Sequence, residues 1–458
     1  MASITKYYFL GIGGIGMSAI ARYFHVKGFA VAGYDRTESK LTSDLQTEGI
    51  KITFEEAVST IPSDFLERDK TIVVITPAIP QEHKQLVYFQ EHNFKIMKRA
   101  EILGEITRNS KAICIAGTHG KTTTSTITAH LLYQSHVNCS AFLGGISNNY
   151  NTNLLLSNES NFVVVEADEY DRSFHRLTPY MAVIISVDAD HLDIYGSKEA
   201  FIESFEHFTS LISPGGALVI NKKVDIHPRL QKGVKMYTYG LDNTADFYAK
   251  NIRNAKGNII FDFVTPTESI YDVRLGVPVM INVENSVAAM AMAWLNGVTN
   301  EELRTGISTF SGIYRRFNIV FNSEKVVYMD DYAHHPSELK ESISSIRQLY
   351  PNRKITGIFQ PHLYSRTRDF APEFAKSLSQ LDEVILLPIY PARELPIEGV
   401  TSEIILKDVS AQVKTLSEKE NILTLLDKNE LDVLVTFGAG DIDKMVPEIK
   451  NFLKKKYK

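Results

Sequence analysis

The chain has 458 residues, 49 basic against 54 acidic, a formal net charge of −5 and two cysteines. That balance supplies no global field toward nucleic acid or an anionic membrane surface. Cys114 and Cys139 lack metal-ligand spacing, so neither a disulfide scaffold nor a zinc site is expected.

The length allows about three domains of about 150 residues each. No apolar stretch reaches a membrane-spanning length, and the opening residues lead directly into an apolar run, so we expect a cytoplasmic protein without a signal peptide. From residue 7 to about 105, apolar runs at Tyr7–Leu10, Phe29–Gly33 and Thr71–Ile75 alternate with helical patterns, which predicts a small parallel α/β sheet. Gly11, Gly13, Gly14 and Gly16 follow the first run at once, and Asp35 ends the second. This is the dinucleotide-fingerprint spacing: a tight turn, close backbone approach to a pyrophosphate, helix packing and an acid for hydroxyls. It announces a pyrophosphate without naming its owner, because a UDP-sugar carries one as NAD does.

A second unit opens with Ile113-Cys-Ile-Ala-Gly-Thr-His-Gly-Lys-Thr-Thr-Thr124. An apolar strand breaks into a turn, Gly117-Thr118-His119-Gly120, and then into a helix. Backbone N–H groups at the helix start, with Lys121, suit the β/γ-phosphates of ATP. Thr122 offers Mg²⁺ a hydroxyl, and Thr123 extends the first turn. The loop is shorter than the general G-x4-G-K-[ST] pattern. Glu166-Ala-Asp-Glu-Tyr-Asp171 follows the strand Phe162–Val165, where a Walker-B carboxylate for Mg²⁺ would stand. Asp188-Ala-Asp-His-Leu-Asp193 follows Ala182–Ser186, so His191 is a candidate ligand flanked by Asp190 and Asp193. After the strand Ala217–Ile220, residues 235–281 predict an antiparallel patch and 283–295 a helix. Asn282 and Asn285, one turn apart, could face an adenine edge, or Asn282 could cap that helix.

A third α/β unit follows Arg316, with strands at Val326–Met329, Ile355–Phe359, Glu383–Leu387 and Val433–Phe437. Strand-end loops carry Asp330-Asp-Tyr-Ala-His-His-Pro336 and Gln360-Pro-His-Leu-Tyr-Ser-Arg-Thr367, with Tyr314-Arg-Arg-Phe317 before them and Gly438-Ala-Gly-Asp441 after the last strand. Arg316 or Arg366 could stabilise phosphoryl charge, and His334 or His335 could position or deprotonate an amine. The expected domains are 1–107, 108–314 and 315–458.

Together these segments resemble the Mur ligases of peptidoglycan synthesis, over essentially the whole chain and in order: GIGGIGMS, GTHGKTTT, EADE-x-D, DHLD, RRF, DDYAHHP, FQPH-x-Y-x-RT, YPA and GAGD. The short phosphate loop is itself a form found in that family, and the likeness is strongest to its alanine-adding member. The resemblance implies an N-terminal Rossmann-like domain, a central P-loop ATPase-like domain and a C-terminal Rossmann-like domain closing on ATP and amino acid. It also implies ATP-driven joining of the lactyl carboxylate of UDP-N-acetylmuramate to L-alanine through an acyl phosphate. By resemblance, Lys121 holds the phosphates, Thr122 and Glu166 bind the first Mg²⁺, and His191 binds the second. Asn282 and Asn285 face adenine, and Arg316 and Asp330 reach ribose and phosphates. His334 and Arg366 bind L-alanine and the acyl phosphate, and the first segment binds the UDP moiety. A monomer or weak homodimer is expected.

Ser186, Ile281, Leu363 and Arg393 depart from the family pattern, the last two near the expected amino-acid pocket. Three rivals remain at this stage. One is a murein peptide ligase adding a recycled tripeptide. A second is an NAD-dependent oxidoreductase, which leaves the phosphate loop unexplained. The third is a nucleotide-binding switch without synthetic activity.

Overall fold

A computed structural model describes residues 4–188, 192–255, 258–392 and 394–457, without side chains at 192, 193 and 255. His191, Asp190 and Arg393 therefore lie outside the described residues, as does the Asp193 side chain. The chain forms two compact units, residues 1–276 with 282–311, and residues 277–281 with 312–458.

The first unit holds two sheets. β1 (Lys6–Leu10), β2 (Ala30–Tyr34), β3 (Lys51–Thr53), β4 (Thr71–Ile75) and β5 (Lys95–Lys98) form an all-parallel sheet in the order β3-β2-β1-β4-β5. Tyr8, Phe9 and Leu10 are fully buried, as expected for a central strand covered on both faces. The second sheet comprises β6 (Lys111–Ala116), β7 (Ser140–Ser147), β8 (Thr152–Leu155), β9 (Phe162–Ala167), β10 (Pro179–Ile184), β11 (Ala217–Asn221), β12 (Lys235–Gly240), β13 (Phe247–Ala255), β14 (Asn258–Val264) and β15 (Ser269–Arg274). Its order is β15-β14-β13-β12-β11-β10-β6-β9-β7-β8. β6 thus sits between β9 and β10, and the loops leaving all three strands open on one sheet edge, where open α/β folds place ligands.

The antiparallel patch expected over 235–281 is only partly found. β12 pairs parallel with β11 and with β13, and antiparallel pairing begins at β13–β14. The helix expected from 283 begins at Met280, which puts Asn282 inside its first turn and removes it as the N-cap. The β7–β8 hairpin has no counterpart in the sequence reading. β7 carries Gly144-Gly145 and partly buried positions, which blur the alternation that marks a strand.

The second unit is one sheet: β16 (Asn318–Asn322), β17 (Val327–Asp331), β18 (Ile355–Phe359), β19 (Glu383–Leu386), β20 (Val413–Leu416) and β21 (Val433–Phe437), in the order β16-β17-β21-β18-β19-β20. All neighbours are parallel except β16–β17. No helix of the described residues is long and apolar enough to cross a membrane.

Within the first unit the two sheets are joined by buried polar contacts. Asn153, fully buried on β8, donates to the Ile15 carbonyl at 2.6 Å and accepts from Arg22 at 2.6 Å, while Arg22 also pairs with Glu48. The helix Arg99–Arg108 runs from the first sheet to the second and packs on the turn Tyr170–Arg176. A Cβ on Gly104 of that helix would lie 2.3 Å from the Arg176 carbonyl oxygen. Gly104→Ala should therefore cost about 1–3 kcal/mol through overpacking, read as a lower unfolding midpoint; an unchanged midpoint would show that this helix is free to shift.

Candidate active site

The phosphate loop leaves β6 and enters the helix Lys121–Tyr133. Gly117 (φ 144°) and Gly120 (φ 79°) occupy backbone conformations that side chains disfavour. A Cβ on Gly117 would lie 2.9 Å from the Ser186 nitrogen, and one on Gly120 would lie 3.0 Å from Asn285 Oδ1. Ser186 is not idle at its variant position. Its Oγ accepts from the His119 N–H at 3.0 Å and lies 2.8 Å from Thr118 Oγ1, holding the loop to the end of β10. Asn285 accepts from Thr124 at 3.3 Å and donates to Asn282 at 3.4 Å, so both buried amides stand beside the first turn of the loop helix. Thr123 is half-buried in that turn.

Lys121 Nζ donates to the Gly117 carbonyl at 2.7 Å and to both carboxylate oxygens of Glu169 at 2.7 and 2.8 Å. Burial pushes the Glu169 carboxyl above the usual carboxylate range, and Lys121 pulls against it. Glu169 was legible only as one acid of EADE-x-D; its role as the lysine's partner needs the turn after β9. Thr122 Oγ1 donates to Glu166 at 3.0 and 3.2 Å. A Cβ on Gly144 of β7 would lie 1.9 Å from Glu166 Oε2, so that glycine makes room for the carboxylate. A hydroxyl and a carboxylate touching beside a phosphate loop are hard oxygen donors that fit Mg²⁺. Among the described residues no cluster of three potential metal-binding side chains occurs, and the His191 candidate lies outside them.

The glycine loop of the first sheet is braced from β2. Asp35 Oδ2 accepts from the Gly13 N–H at 2.7 Å, and Oδ1 accepts from Thr37 N–H at 3.1 Å. Gly11 takes φ 85°, and Gly14 begins the helix Ile15–Val26 as its N-cap. A Cβ on Gly16 would lie 2.6 Å from Arg99 Nη1. The same guanidinium donates through Nη2 to Asp168 at 2.9 Å, two residues beyond Glu166. Arg99 was missed in the sequence; its signal was the basic pair Lys98-Arg99 closing the short apolar run that became β5.

The second unit gathers its own cluster. Arg315, at φ 61°, lies with Nε 3.7 Å from Asp330 and Nη1 3.4 Å from Asp443, and it donates to the Gly438 and Gly440 carbonyls. Asp330 is fully buried, accepts from Thr436 at 2.7 Å, and is pushed up to about 6 by burial. Its charge partner is thus Arg315, and both Arg315 and Arg316 lie over the Tyr332 ring, at 5.0 and 5.3 Å. His334 Nδ1 lies 3.0 Å from the Tyr332 carbonyl and 3.3 Å from Glu338. Its ring meets His362 edge-on at 5.9 Å, and His362 stacks on Tyr390. Burial depresses the His334 imidazole, with Glu338 opposing and Arg366 adding to the shift. His335 instead turns to Ser337 at 2.9 Å and to the Phe370 ring. Leu363 takes φ 73°, and its N–H donates to the Tyr390 carbonyl at 2.9 Å. Gln360 donates to Asp441 at 2.9 Å and accepts from Ile442 N–H at 2.9 Å, closing the GAGD turn.

Three family patterns match successive parts of the chain: "Mur ligase family, catalytic domain" over residues 6–111, "Mur ligase middle domain" over 115–293, and "Mur ligase, glutamate ligase domain" over 315–440. The chain belongs to the Mur ligase family. This Mur ligase is 58% identical to the UDP-N-acetylmuramate–L-alanine ligase of Parabacteroides distasonis, covering 98% of this chain and 97% of that one. It is 56% identical to the enzyme of the same name from Phocaeicola vulgatus, covering 99% of each. The crystal structure of UDP-N-acetylmuramate-alanine ligase from Thermotoga maritima superposes with a TM-score of 0.83 at 26% identity, covering 98% of this chain and 99% of that one. A murein peptide ligase from Psychrobacter arcticus shares the fold at TM-score 0.69 and 19% identity, covering 98% of each.

Two outcomes follow from the buried charges of this Mur ligase. Lys121→Ala should lower turnover at least about 100-fold and also destabilise the fold, since it leaves Glu169 buried without its partner. Adding Glu169→Gln should restore much of the stability and none of the turnover; a cycle without coupling would refute the pairing. Asp330 sits at about 6, above its unfolded value of about 4. Its contribution to stability is therefore full below the unfolded value and is lost as pH rises through the folded one. Asp330→Asn should gain on the parent chain in unfolding free energy as pH is raised across that window, and denaturant titrations at stepped pH check the sign.

Proposed function

We propose that this chain joins L-alanine to the lactyl carboxylate of UDP-N-acetylmuramate, converting ATP to ADP and phosphate, as a cytoplasmic monomer or weak homodimer. The contact of Thr122 with Glu166 beside Lys121 carries the reading, and the identity to the alanine ligases supports the choice of amine. In this reading the carboxylate attacks the γ-phosphorus, ADP leaves, and the resulting acyl phosphate is opened by the amine with loss of phosphate. Lys121 exchanges Glu169 for phosphate oxygens when nucleotide arrives. Thr122 and Glu166 would hold a first Mg²⁺ and His191 a second, and these ions would supply charge neutralisation for the transferring group. Asn282 and Asn285 serve the adenine, Arg316 and Asp330 the ribose and phosphate side, and Gly11, Gly13, Gly14, Gly16 and Asp35 the UDP-sugar. Domain limits at 1–107, 108–314 and 315–458 are part of this reading, supported by sheets that end at Lys98, begin at Lys111 and begin again at Asn318.

The glycine loop reads as a cradle for the UDP diphosphate, with Arg99 as its cation. Phosphate release is measured with ATP, Mg²⁺ and UDP-N-acetylmuramate against L-alanine, glycine, L-serine and the tripeptide. L-alanine should be the preferred amine; response to the tripeptide alone would move the chain to the peptide-ligase reading. Arg99→Ala should raise KM for UDP-N-acetylmuramate by about 10-fold or more, as loss of a charge-assisted contact does, with KM for ATP little changed. Equal effects on both would remove Arg99 from the diphosphate.

A further inference from the structure

An α-amine reaches an enzyme at neutral pH as an ammonium ion without a lone pair, so attack on an acyl phosphate requires a base. Resting on the function proposed above, we propose that His334 Nε2 is that base and that Glu338 is its positioning residue.

The geometry fixes the tautomer. His334 Nδ1 faces two acceptors, the Tyr332 carbonyl at 3.0 Å and a Glu338 carboxylate oxygen at 3.3 Å, so Nδ1 carries the hydrogen and Nε2 keeps the lone pair. Glu338 is itself held in place: it is the N3 residue of the helix Pro336–Leu349 and accepts from the backbone N–H groups of His334 and His335 at 3.0 and 3.3 Å. The ring is walled by Tyr332 at 5.2 Å and His362 at 5.9 Å. The charged groups facing it are Glu338 from the helix Pro336–Leu349, Arg366 from the helix Tyr364–Asp369, and Arg316 ahead of β16. Burial, Arg366 and Arg316 keep the imidazole neutral, while Glu338 stabilises the imidazolium that forms on proton uptake. His335, one residue on, turns to Ser337 and lacks this arrangement.

The step balances. An ammonium proton passes to Nε2, the amine lone pair forms the C–N bond at the acyl carbon, and the C–O bond to phosphate breaks with its electron pair on phosphate. The adduct nitrogen then gives up its second proton to the departing phosphate as the amide forms, and the imidazolium releases the first to water.

The test uses the full-length protein and two nucleophiles, L-alanine and hydroxylamine, the latter already unprotonated at neutral pH. Both should release phosphate with the unaltered protein, Mg²⁺, ATP and UDP-N-acetylmuramate. His334→Gln should lower the L-alanine kcat by about 100-fold or more, the lower range of a lost general base, while hydroxylamine still yields hydroxamate. Glu338→Gln keeps the backbone cap; it should lower the L-alanine kcat and move the acidic limb of its pH profile to lower pH, and Glu338→Asp should recover part of both. Equal loss with both nucleophiles, or an acidic limb unmoved by Glu338→Gln, would overturn the assignment. No phosphate release from the unaltered protein with either nucleophile would instead overturn the ligase reading on which it rests.

Discussion

The buried pair of Lys121 and Glu169 is the constraint around which the first unit is arranged. A lysine opening a helix behind a glycine turn would, left alone, be a buried cation without a counter-charge, at a cost of several kcal/mol. Glu169 meets it only because β9 runs beside β6 in register, which brings the turn after β9 to the mouth of the phosphate loop. The same register sets Glu166 against Thr122, and β10 on the other side of β6 supplies Ser186 to the loop. Three strand ends therefore converge on one short segment.

In the proposed reaction Lys121 would trade its Glu169 partner for phosphate oxygens. A carboxylate held above its usual range by burial is a weak competitor for a lysine once phosphate oxygens are present. Arg99 repeats the logic at a second point. It faces Gly16 of the glycine loop and is tethered by Asp168, so an acid of the turn after β9 and a loop of the first sheet share one guanidinium. In the second unit, Glu338 both caps a helix and faces His334, which ties the orientation of a ring to the start of a secondary structure element.

By itself the sequence determined a good deal, because its signals are local. Apolar runs at Tyr7–Leu10, Ile355–Phe359 and Val433–Phe437 became strands, and glycine turns directly after strands became loops with left-handed glycines at Gly11, Gly117 and Gly120. Lys121 and Thr122 were legible as a phosphate-loop pattern because one strand end and one helix turn fix their spacing, and Glu166 as an acid closing a strand, whereas the Thr122–Glu166 contact depends on the register of β9 on β6. Only the tertiary structure decided the pairings. That Arg315 and not Arg316 meets Asp330, that Arg99 meets Gly16, that Glu169 meets Lys121, and that β12 joins the sheet parallel depend on strand order and on contacts between residues up to 83 positions apart, as for Arg99 and Gly16, or 15, as for Arg315 and Asp330. Periodicity in a sequence reports which face of an element is buried; it carries no information about which distant element buries it.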